Sequence, residues 1–147
     1  MNKHMRLLYL AALLIPLTLL AAAPIAFAGP PGATEINGQK VLTLISRDPP
    51  GVRCNNNIQA AAELSSRYKV PVQIVPVTFS GPEAKAPAVY YGNDLITADG
   101  DPGNGVVDFS SLADVLEVAG APRHDQDGRL MAIPDAFEQL KAAIRAK

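Results

Sequence analysis

Cys54 is the only cysteine in the chain, and it stands between Arg53 and the amide run Asn55-Asn56-Asn57. A thiol at the start of a helix feels the positive end of the backbone dipole. Arg47 and Arg53 would favour its thiolate, and Asp48 would oppose them. Such a sulfur could form mixed disulfides, take up an oxidant or bind a soft metal ion. It cannot complete an intramolecular dithiol exchange, which needs both an attacking and a resolving thiol. A second group of chemistry-bearing residues is Asp99, Asp101 and Asp108, in the stretch D-G-D-P-G-N-G-V-V-D. At first sight this is a calcium loop, but the spacing fails. With Gly105 as the turn glycine, Pro102 and Gly100 fall where oxygen ligands are needed, and Ser111 falls where an acidic residue should close the site. We read an acidic turn feeding a helix, with no metal. His124 lies in a polar loop with no Ser or Cys motif to make it a base. No P-loop, G-x-S-x-G or paired-carboxylate motif is present, and no cofactor is indicated.

The elements that must position these residues belong to a chain of 147 residues, 48% hydrophobic and 18% charged. That is enough for one core and too little for two. The apolar content excludes intrinsic disorder. One cysteine and two histidines exclude a zinc framework. Thirteen Lys and Arg against fourteen Asp and Glu argue against a nucleic-acid partner, which requires a basic surface.

Residues 1–28 read as a signal peptide. Lys3, His4 and Arg6 form a positive start, Leu7–Leu20 an apolar run, and Ala26-Phe27-Ala28 a small-residue cleavage site. An uncleaved anchor of this length would span a bilayer, but Pro16, Pro24 and the small-residue ending favour cleavage. The expected mature chain is periplasmic or secreted, mildly acidic and without a membrane span. Disulfides are usual in such compartments, so an unpaired Cys54 is expected to be buried, reactive or joined to another protein.

Gly29–Gly38, rich in Gly and Pro, reads as a flexible leader. Val41–Ile45 is nearly continuous apolar and β-branched, as a central strand buried on both faces should be. From Ile58 a helical period puts Ile58, Ala61, Ala62, Leu64, Ser65 and Tyr68 on one face and Gln59, Glu63, Ser66 and Arg67 on the other. The Asn55–Asn57 run offers N-cap oxygens, and Asn56 with Gln59 forms a capping-box pattern. Val72–Phe79 is a strand, and Pro76 inside it demands a sheet edge. Together these predict a βαβ unit with parallel strands. Ala88–Tyr91, a Gly92-Asn93 turn and Leu95–Thr97 predict a hairpin, with one of Tyr90 and Tyr91 in the core. A helix near Ser111–Ala119, capped by Ser111 and stopped by Gly120, follows. Pro134 opens a last helix bearing Phe137, Leu140 and Ile144 on one side.

The order βαβ, hairpin, helix resembles the thioredoxin-like fold from Val41 to about Gly120. The resemblance implies an α/β three-layer sandwich over residues 39–121, with residues 122–147 as an extension carrying an extra helix. It also implies that Pro87, opening the hairpin in A-P-A-V-Y-Y-G-N-D-L-I, is a cis-proline facing the redox motif. Cys54 stands where that motif sits. The family's redox enzymes carry Cys-x-x-Cys, and two registers fit here. In Gly51-Val52-Arg53-Cys54 the attacking cysteine has become Gly51. In Cys54-Asn55-Asn56-Asn57 the resolving one has become Asn57. The helical projection puts Cys54 on the inward face, which favours the first. The function implied is an exported protein related to thiol–disulfide oxidoreductases, with Cys54 as its thiol, Pro87 in its substrate groove and a protein thiol or disulfide as partner. The alternative is a non-catalytic module of the same fold that holds a peptide or small anion around Gly51, Arg53, Asn55 and Asn57.

Overall fold

The computed structural model describes residues 29–100 and 102–146. The signal-peptide reading and Asp101 lie outside the described residues. No described helix is long and apolar enough to cross a membrane.

Among the described residues the protein is mixed α/β, with three α-helices and two sheets. A short hairpin, β1 (Glu35–Ile36) and β2 (Gln39–Lys40), is antiparallel. It lies at the end of the stretch expected to be a leader, and its turn is the reason. Asn37 and Gly38 both adopt positive φ, 50° and 76°, the backbone that a two-residue Asn-Gly hairpin requires. The four-stranded sheet comprises β3 (Leu42–Ser46), β4 (Val72–Pro76), β5 (Ala88–Tyr91) and β6 (Asp94–Ala98), in the order β4-β3-β5-β6. β3 and β4 run parallel, and β5 is antiparallel to both β3 and β6. Every residue of β3 is buried, as its continuous apolar run requires, and β4 with Pro76 is an edge strand. The strand reading to Phe79 is too long. After Pro76 the chain turns into a short 3-10 helix, Val77–Phe79.

The helices are α1 (Val52–Ser65), α2 (Phe109–Val118) and α3 (Pro134–Arg145). The main core joins Leu42, Leu44, Val89 and Tyr91 of the sheet to Ala60, Ala61 and Leu64 of α1 and Leu112, Ala113 and Leu116 of α2. α1 and α2 therefore share one face of the sheet. Burial of each large apolar side chain there contributes on the order of 1.5–3 kcal/mol. Strand alternation sends Thr43, Ile45 and Ala88 to the other face. There Ile45, Ala88 and Ala98 pack beneath Val77, Ala84 and Ala86, and Gln73 donates to Thr43 Oγ1 at 2.6 Å and Pro31 O at 3.0 Å. Among the described residues no helix covers this second face, so the expected three layers are two, with loop and leader segments in place of the third.

Two helix starts differ from expectation. α1 begins at Val52, with extended Gly51 at its N-cap and no side-chain cap bond, so the Asn run lies inside the helix. α2 is capped by Asp108, whose carboxylate accepts from Ser111 N–H at 2.8 Å; Ser111 is the capped residue and not the cap. The polar face of α1 is not solvated either. Glu63 and Gln59, one turn apart, are both buried, because α3 packs there and Lys141 Nζ meets Glu63 Oε1 at 3.0 Å. Residues 122–128 bind the end of α1, through Lys69 N–H to Pro122 O and Gly128 N–H to Ser66 O.

Candidate functional site

Cys54 occupies the third position of α1 and is 2% exposed. Its Sγ accepts the Arg47 N–H at 3.3 Å. Arg47 also donates from Nε to Ala86 O at 3.2 Å, so one residue spans the start of α1 and the start of the β5 hairpin. The Ala86–Pro87 peptide bond is cis. The resemblance therefore names two residues, Cys54 and Pro87, that lie on either side of Arg47.

Neither is open to a substrate. Pro87 is among the fully buried side chains, so it lines no groove. A Cβ placed on Gly105 would lie 2.3 Å from Pro87 O and 2.9 Å from Pro87 Cγ, with φ at +76°. Only glycine admits so close an approach in that backbone conformation. The loop residues 102–108 are thus folded down onto the proline.

Three residues of α1 hold that loop. Arg53 Nη1 donates to Asp99 Oδ1 at 2.6 Å and to Asn104 O at 2.7 Å. Asn56 Nδ2 donates to Val107 O at 2.9 Å. Asn57, buried, donates from Nδ2 to Gly105 O at 2.7 Å and accepts Val107 N–H on Oδ1 at 3.0 Å. Arg47 Nη2 completes the cluster on Asp99 Oδ2 at 3.2 Å. Hydrogen bonding to Arg53 is the main cause holding the Asp99 carboxyl below the usual aspartate range, with Arg47 adding to it. The same pairing raises Arg53. Two guanidiniums thus share one carboxylate.

The sequence-derived candidates are accordingly brought together, in roles other than those expected. Arg53 and Asn57 are loop anchors, Gly51 is an exposed N-cap, and Asn55 is half-buried, with its N–H on Gly51 O at 2.9 Å. Asp99 is an arginine partner and Asp108 a helix cap. Among the described residues no group of three or more His, Cys, Asp or Glu could hold a metal ion. The residue that sequence reasoning missed is Gly105, whose close approach to Pro87 leaves only an Asn-Gly pair as its signal. The arrangement is a polar network joining α1, the hairpin and the loop, buried at Asn57 and open to solvent at Arg47. No protein-family model, no curated protein and no solved structure matches this chain.

Proposed function

We propose that this chain is an exported, thioredoxin-like protein, related in architecture to thiol–disulfide oxidoreductases, that performs no thiol exchange and serves as a binding module. The strand order β4-β3-β5-β6, with a helix starting at the end of its central strand, supports the fold reading. The burial of Cys54 carries the functional one. An attacking thiol must be an exposed thiolate in a positive setting. Here the exposed position at the helix start is Gly51, and the sulfur three residues on is enclosed. A buried cysteine of this kind behaves as a small apolar side chain with a weak donor.

The test is incubation of the native full chain with glutathione disulfide, followed by mass spectrometry. No mixed disulfide should form without denaturant, and Cys54→Ala should remain folded. Rapid adduct formation on the native protein would return Cys54 to chemistry. Export is tested separately by sequencing the N-terminus of the secreted product, which should begin at Gly29.

A further inference from the structure

We infer that the groove beside strand β6 receives an extended peptide segment that carries a basic side chain. This extends the reading of a binding module by naming its surface and ligand class, and it rests on residues other than Cys54 and Pro87. β6 is a terminal strand of the sheet, so its outer row of N–H and C=O groups faces away from β5. Beside it lies a groove of ≈ 640 Å³, walled by Leu95, Ile96 and Thr97 of β6 on one side and Pro102, Val106 and Asp108 on the other. A free strand edge that forms one wall of a groove is the setting in which a peptide adds as a strand. Its main chain then pairs with the edge, and alternate side chains enter the groove.

The composition of the walls selects the side chains. Leu95, 46% exposed, together with Val106 offers an apolar seat. Asp108 is the charged residue lining the groove, and it is exposed, so a Lys or Arg two residues along the peptide finds a carboxylate. A second copy of the chain fits less well, because symmetric pairing there would bring two Asp108 carboxylates together.

The probe is acetyl-Thr-Val-Thr-Lys-Thr-amide, which places Val and Lys two residues apart on one face, titrated into the 15N-labelled full chain and followed by amide chemical shifts, with the Thr-Val-Thr-Glu-Thr peptide as control. Shifts should appear in residues 95–97 and 102–108, and the Glu peptide should bind at least about tenfold more weakly, a difference of one charge contact. Asp108→Asn keeps a capping side chain on α2 and should weaken the Lys peptide by about the same factor. Leu95→Lys, at an exposed position, should abolish binding without unfolding the protein. The proposal is overturned by no shift up to about 5 mM peptide, by shifts centred elsewhere, by equal binding of both peptides, or by self-association of the free chain through these residues. Rapid native labelling of Cys54 would instead remove the non-thiol reading and leave this groove untouched.

Discussion

Asn57→Ala is the substitution that most sharply measures how the loop is held. Asn57 is 2% exposed, and its amide makes two bonds to the loop, to Gly105 O at 2.7 Å and from Val107 N–H at 3.0 Å. Both are buried, so truncation leaves one backbone donor and one backbone acceptor desolvated and unpaired. Each such group costs about 1–3 kcal/mol, and the small cavity adds about 1 kcal/mol. The expected loss is about 3–7 kcal/mol, a large share of the roughly 5–15 kcal/mol that keeps a domain folded. With a urea m-value of about 1.5–2 kcal/mol/M, the midpoint should fall by about 1.5–4.5 M. Asn56→Ala, which removes a partly buried bond to Val107 O and an exposed one from Arg145 Nη2, should cost about 1–2 kcal/mol. Urea unfolding followed by circular dichroism reads both. A loss below about 1 kcal/mol for Asn57→Ala would mean that the loop is not anchored by this side chain, and the reasoning about the network would fail.

Gly105→Ala should destabilise by about 2–4 kcal/mol, because its Cβ would meet backbone atoms of Pro87 and Asp99; thermal unfolding checks this, and an unchanged midpoint would contradict the close packing. Thr97→Val should be neutral or stabilising by about 1 kcal/mol, since it replaces a buried hydroxyl without a partner by a methyl of similar shape. Asp99 has a folded pKa below its unfolded value of about 3.9. Its contribution is therefore complete above that pH and is lost as the pH falls through the depressed folded value. Asp99→Asn should flatten the acid limb of the stability–pH curve below about pH 4, and an unchanged limb would show that the arginine pairing contributes nothing.

How much was legible in the chain follows from what each residue type can signal. Pro76 forces an edge, and the apolar run at Val41–Ile45 forces a centre, so the βαβ unit and the hairpin can be read directly. The Asn run is ambiguous in principle, since an amide that caps a helix and one that reaches from a helix to a distant loop have the same composition. Its partners, Gly105 and Val107, are 48 and 50 residues away, beyond any local pattern. Gly51 caps with backbone alone and leaves no side-chain signature. Glu63 was assigned to solvent because one helical projection supposes one buried face, whereas α3 covers a second. Asp99 and Asp108 drew attention as calcium ligands for the same reason that they work elsewhere: a carboxylate serves arginine, helix cap and metal alike, and spacing alone separates these roles.

The central claim is that the sulfur of Cys54 is a core atom and not a reagent. It is tested most directly by the rate at which iodoacetamide modifies Cys54 in the native protein, compared with the protein unfolded in urea. Access through transient opening should make native labelling slower by roughly a thousandfold or more, tracking the stability of the fold. Labelling of the native protein at a rate close to that of the unfolded chain would contradict the account.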